Sequence, residues 1–149
     1  MKEIRFRVWD KREKKMEYLT KDTYWVISLT GELVWLDETI GEFIKVPHGV
    51  VMQYTGLKDK NGKEIYSGDI VNCFDDYTNL FVGVGTVSFG KFESSHEGGQ
   101  SRRHYHQGYY IEKNGEQIWN KVAEDLDWGK VEVIGNIYET PELLQEVKE

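Results

Sequence analysis

The chain has 149 residues, a formal net charge of −7 and one cysteine, Cys73. This length suits one domain with a real core, the lone cysteine excludes an internal disulfide, and the acidic balance disfavours broad contact with a phosphate backbone. No run reaches the ~18 apolar residues of a spanning helix, and "MKEIRFRVWD" lacks the apolar centre of a signal peptide, so a cytoplasmic protein of a reducing compartment is expected.

In chain order, "EIRFRVW" alternates: Ile4, Phe6 and Val8 fall on one face, Arg5 and Arg7 on the other. Period two reads as a half-buried strand. A polar turn, "DKREKK", leads to a return strand from Met16 and Tyr18. "TYWVISL" and "LVWL", joined at Thr30-Gly31-Glu32, read as a hairpin over residues 23–36. "EFIKVP" is a short strand ended by Pro47. "VVMQYTGL" follows, then Asp59-Lys60-Asn61-Gly62, where Asn-Gly predicts a hairpin with positive φ at both turn positions. "KEIY" runs into a second turn at Ser67-Gly68-Asp69, with Gly68 free to take positive φ and the Asp69 carboxylate placed to hold backbone N–H groups. "IVNCF" is apolar. "LFVGVGTVSF" is a long strand whose Gly83 and Gly85 suggest a bulge or the close approach of another backbone. Residues 93–108 are rich in Gly and Ser without periodicity and are expected to form a mobile loop. "YYIEK" and Asn114-Gly115 give another strand and turn. The period then changes: Ile118, Trp119, Val122, Ala123 and Leu126 share a helical face, predicting a helix over residues 117–126. "KVEVIGNIYE" is a strand. Thr140 before Pro141 predicts an N-cap, with Leu143, Leu144 and Val147 on one side of a short C-terminal helix. The expected class is mainly β, a small barrel-like or sandwich domain with one or two short helices, as a single domain over residues 1–149.

Charge is unevenly placed. Residues 1–21 hold eight Lys or Arg against four acids, and residues 22–149 hold eleven against twenty-two. A basic arm on an acidic body favours head-to-tail self-association or a basic partner, so a homo-oligomer is expected.

Three segments, "MKEIRFRVWDKREKKM", "MQYTGLKDKNGKEIYSGDIV" and "VEVIGNIYETPELL", together resemble the YopX family of phage and prophage proteins. The resemblance implies a mainly β fold with a barrel-like core and a gene carried by phages or prophages, chiefly of Gram-positive bacteria. It implies no enzymatic activity and supplies no catalytic residues. Trp9, Asp10, Tyr54, Gly56, Asp59, Asn61, Gly62, Tyr66, Gly68, Asp69, Gly135, Asn136 and Tyr138 match it without an assigned role.

Four candidate sites remain to be weighed. His96, His104 and His106, with Cys73, Asp75 and Asp76, could ligate zinc, against the plainer reading of a solvated loop without CxxC or HExxH spacing. Asp59-Lys60-Asn61-Gly62 opens like a calcium loop, but Lys58, Lys60 and Lys63 repel a dication and the turn reading prevails. Arg5, Arg7 and Trp9 could present a basic aromatic surface, with Lys58, Lys63 and Tyr66 as further contacts, against an ordinary solvated strand face. Asp75-Asp76 could host acid–base chemistry, though nothing sets two carboxyls at a working distance. The reading is a non-enzymatic, cytoplasmic β module without a cofactor, binding a protein or nucleic acid. The alternative is a metal-dependent or acid–base hydrolase using the His96/His104/His106 loop.

Overall fold

A computed structural model describes residues 3–21, 23–75, 77–94, 104–117 and 130–145. The protein is mainly β. Its chain divides into two compact units, residues 1–54 and 55–149.

In the first unit, β1 (Phe6–Asp10) pairs antiparallel with β2 (Lys15–Tyr18) on one edge and with the start of β6 (Gly49–Lys58) on the other. A separate meander holds β3 (Trp25–Ile27), β4 (Leu33–Asp37) and β5 (Glu42–Lys45) in that spatial order. Val8, Leu33 and Val46 form the buried centre, with Leu19, Trp25, Ile27 and Val51 packed around it. Gly49 sits against this cluster, where a Cβ would run into Leu33 and Val8, so the pairing of β6 with β1 requires a residue without a side chain here. The β3–β4 turn closes through Ser28 N–H to the Glu32 carbonyl at 2.9 Å, with Gly31 at φ 82°.

In the second unit, β7 (Glu64–Tyr66) pairs with the end of β6. A five-stranded antiparallel sheet has the order β11 (Glu116–Gln117), β10 (His104–Lys113), β9 (Phe81–Ser94), β8 (Asp69–Phe74), β12 (Val131–Asn136). Ile65, Val71, Cys73, Val87, Tyr109, Ile111, Val131 and Val133 form its core, drawn from five strands whose alternating positions point the same way. Cys73 pairs with Gly83 and Phe74 with Phe81, so Val82 is the extra residue of a bulge, as the glycines of "LFVGVGTVSF" lead one to expect.

Three local expectations change. Asn61-Gly62 does not form the two-residue turn with positive φ at both positions. Only Gly62 is left-handed (φ 80°), and Asp59 N–H donates to the Lys63 carbonyl at 2.8 Å. This is the three-residue hairpin loop in which glycine supplies the bulge. Asn114-Gly115 does take positive φ at both positions, 54° and 80°. The same dipeptide thus makes two turn types, chosen by the register of the strands it joins. The mobile loop expected at 93–108 is in part strand: His104 to Gly108 pair with Ser94 to Gly90, because a partner strand satisfies backbone groups that composition alone leaves open. Residues 95–103 lie outside the described residues, as do 118–129 of the expected helix, whose first residue, Gln117, ends β11. At the C-terminal side, Pro141–Leu144 form one 3₁₀ turn with Pro in its first turn, but Thr140 does not cap it. The Thr140 hydroxyl instead accepts the Asn136 N–H at 3.2 Å. Val147 lies outside the described residues.

Candidate functional site

The proposed basic aromatic surface at the start of the chain is only partly at the surface. Arg7 is 4% exposed and Trp9 9%. β1 has a neighbour on each edge, and both its side-chain rows are covered, so the half-buried alternation fails there. Arg5 remains half-buried, with its guanidinium 4.7 Å from the Tyr54 ring centre in cation–π geometry and its Nε 3.1 Å from Glu3. Lys11, Arg12 and Lys14, in the β1–β2 turn, and Lys15, the first residue of β2, do reach solvent. Asp10 shapes this turn. Its Oδ1 accepts the N–H of Arg12 at 2.8 Å and of Glu13 at 3.1 Å, and its Oδ2 lies 3.8 Å from His48 Nε2. Burial alone would raise the Asp10 carboxyl, but these two N–H groups and the nearby positive charges hold it below its ordinary value.

The central hairpin is a fastening. Asp59 is buried, and its Oδ1 accepts the N–H of Asn61 at 2.8 Å and of Lys63 at 2.9 Å. Its Oδ2 crosses to the edge of β12 and accepts the Val133 N–H at 2.9 Å. Lys60 N–H donates to the Val131 carbonyl at 3.0 Å. Lys60 Nζ stands 3.1 Å from Glu132, and this hydrogen bond holds the Glu132 carboxyl below its ordinary value. One carboxylate thus sets a turn and ties it to a strand some seventy residues away. The next turn is tied in the same manner. Asp69, also buried, accepts the Tyr66 N–H at 2.8 Å. Gly68, at φ 83°, donates to the Val87 carbonyl and accepts from Ile137 N–H. Of the three contact residues proposed here, Lys58 and Lys63 are exposed. Tyr66 is not: it is 2% exposed and its hydroxyl donates to Glu64 at 2.9 Å. Strand position decides this, since the end of β7 is covered on both rows, with Ile65 and Tyr66 both buried.

The histidine cluster is not assembled by the described residues. His96 and Asp76 lie outside them, and of His104 only the backbone is described. His106 stacks on Phe92, with ring centres 5.5 Å apart and 26° between planes. Asp75 caps a turn, its Oδ1 accepting the N–H of Tyr77 and Thr78. Cys73 is buried in the second core, and burial pushes its thiol up to about 12. No group of three or more His, Cys, Asp or Glu side chains able to hold a metal ion occurs among the described residues. The Cys73 environment gives a direct expectation. At pH 8 the folded protein should resist alkylation by iodoacetamide, and denaturant should expose one reactive thiol, because only thiolate reacts. Rapid labelling of the folded protein would contradict the placement of Cys73 in the core.

The most distinctive surface depends on strand pairing and is not legible in any single segment. Across the meander, Val26 faces Val34, and Leu36 faces Phe43. Phe43 is 64% exposed, Val26 47% and Leu36 41%, while Val34 between them is buried. Trp35 and its cross-strand partner Ile44, on the opposite row, are also exposed, as are Tyr24 before β3 and Ile40 in the β4–β5 turn. All four residues of β5 are exposed. "LVWL" and "EFIK" carry the signal: apolar residues stand at both parities, and beyond Val34 the strands leave both rows exposed.

The YopX protein family model matches residues 5–145. The chain belongs to the YopX family. Its fold is similar to that of the crystal structure of the protein yopX from Bacillus subtilis, at 21% identity, covering 97% of this chain and 100% of that one, with a TM-score of 0.51. The crystal structure of the protein EF1440 from Enterococcus faecalis is 26% identical over 97% of this chain and 100% of that one, with a TM-score of 0.49. No match was found among curated proteins. Family membership and the shared fold with yopX agree with the three segments that carry the resemblance, and they assign no activity. No helix of the described residues is long and apolar enough to cross a membrane.

Proposed function

We propose that this YopX-family protein is a phage- or prophage-encoded, non-enzymatic β module of the bacterial cytoplasm. It acts by docking protein, further copies of itself included. The observation that carries this reading is the apolar end of the β4–β5 hairpin, where Leu36 and Phe43 stand directly opposite each other and, with Ile40 in the turn between their strands, remain exposed. Contiguous exposed apolar side chains are costly in water and mark interaction surfaces. Among the described residues β5 is an edge strand of its sheet, and such an edge offers backbone groups to a partner. Phage origin and the lack of an enzymatic role are supported by the family resemblance.

A protein partner is favoured over nucleic acid on two grounds. The chain is acidic, at −7, and Arg7 and Trp9, the residues best suited to stacking and phosphate contact, are buried. The described residues supply no observation that favours the hydrolase reading: they assemble no group of metal-ligating side chains, and two of its three histidine side chains lie outside them.

Purification of the tagged protein from phage-infected cells, with and without nuclease, tests this. Wild type should retain a stoichiometric protein after nuclease treatment. The variant Leu36→Ser/Phe43→Ser, both changes at exposed positions, should keep its fold by circular dichroism and lose that protein. Retention that depends on nuclease-sensitive material, or that ignores the two substitutions, would overturn the reading.

A further inference from the structure

We propose that the occupant of the β3–β5 face is a second copy of this chain, docked head-to-tail. The basic β1–β2 turn of one copy lies on the acidic β4–β5 turn of the next. This rests on the reading that the face docks protein, and it adds which protein and in which orientation.

Two exposed turns of the first unit carry opposite charge. Residues 11–15, all exposed, hold Lys11, Arg12, Lys14 and Lys15 against Glu13, a net of +3. Residues 37–42 hold Asp37, Glu38 and Glu42 with no cation, a net of −3. Both turns are braced from within. Asp10 accepts the Arg12 and Glu13 N–H groups, and Lys11 N–H donates to the His48 carbonyl at 2.9 Å. Asp37 accepts the Thr39 N–H at 2.9 Å and its hydroxyl at 2.5 Å, and Gly41 N–H closes on the Asp37 carbonyl at 2.8 Å. Preformed turns cost little ordering on association.

The acidic turn also borders the apolar face. Ile40 is exposed within it, and Leu36 and Phe43 flank it on paired strands. The surface therefore has an apolar centre and a charged rim, the arrangement of a specific interface. The charge that complements this rim is found on the molecule's own basic turn. Lys15 is already paired with Glu17, so Lys11, Arg12 and Lys14 are the cations that reach across. The basic turn and the acidic face are different surfaces, so made reciprocally the contact closes a two-fold dimer, and made in one direction only it is heterologous. Repeated, it gives a ring if the rotation closes and a filament if it does not.

Sedimentation velocity on the full chain, at low and at high salt, tests the inference with two variants. One is Lys11→Glu/Arg12→Glu, the other Glu38→Lys/Glu42→Lys. All four positions are exposed, and circular dichroism checks the fold of each variant. Wild type should self-associate, and high salt should weaken it by about tenfold or more. Each variant alone should lose association to a similar degree. An equimolar mixture of the two should recover it, because the unchanged acidic face of the first meets the unchanged basic turn of the second, and the two reversed surfaces meet each other. A wild type that stays monomeric at both salt levels, an assembly that neither variant weakens, or a mixture that does not recover would overturn the inference. A monomer that still holds a protein through Leu36 and Phe43 refutes head-to-tail docking alone. Capture indifferent to those two residues refutes the functional reading itself.

Discussion

Asp59→Ala should destabilise the protein by roughly 3–5 kcal/mol, the scale of leaving several backbone donors without an acceptor at about 1–3 kcal/mol each. Three backbone N–H groups, those of Asn61, Lys63 and Val133, lose their acceptor together. The first two hold the β6–β7 turn and the third fastens it to β12, so turn and sheet edge loosen in one step. At ~2–4 °C per kcal/mol for a chain of this size, melting should fall by roughly 6–20 °C. Asp59→Asn is the sharper variant. It keeps the shape but replaces one acceptor oxygen with a donor, which must face an N–H at one of the two oxygen positions. It should therefore recover only part of the loss. Thermal unfolding by calorimetry measures both. A loss below about 1 kcal/mol for Asp59→Ala, the level of one ordinary hydrogen bond, would show that the fastening does not support the fold.

Gly68→Val should cost far more than Lys63→Ala, although the two positions are five residues apart. Gly68 sits at φ 83° with its N–H bonded to Val87 and its carbonyl to Ile137. A β-branched residue is strained there by about 1–3 kcal/mol, before any loss of those bonds as the turn relaxes. Lys63 is exposed, and the bond it gives to Asp59 is from its backbone, which alanine keeps. Its replacement should stay within about 0.5 kcal/mol. Equal melting temperatures would remove the argument that the Ser67-Gly68-Asp69 turn needs a left-handed backbone.

Much of this fold is local and therefore legible. The apolar strands "IVNCF" and "VEVIGN", the bulge beside Gly83 and the turns at Gly62, Gly68 and Gly115 follow from side-chain period and backbone freedom within a few residues. What escapes such reading depends on strands distant in sequence. Arg7 reads as a solvated strand residue until β2 and β6 are known to flank it. Tyr66 reads as a contact until both rows of β7 are known to be covered. His104 to Gly108 read as loop until β9 supplies their partners. The role of Asp69 was legible because its acceptor geometry is local. Half of the role of Asp59 was not, because Val133 is its second partner.

The exposed meander is an intermediate case. Apolar residues at both parities of β4 and β5 were visible in "LVWL" and "EFIK", but two covered faces and one bare face give the same pattern. Only burial separates them, and here Leu33 and Val34, one on each row of β4, are buried while Leu36 and Phe43 are not. A strand that ends its core contact partway along its length is what an interface element looks like before its partner arrives. The acidic residues around it then select among partners, where the apolar side chains supply most of the adhesion.

Amide hydrogen exchange on the free and the assembled or captured forms tests the central claim most directly. Docking through the meander predicts that protection rises across residues 24–46, most strongly in β5, whose outer edge gains a cover, while residues 55–75 exchange as before. Protection that rises across residues 55–75 and leaves 24–46 unchanged would place the binding surface on the central hairpin and contradict the account.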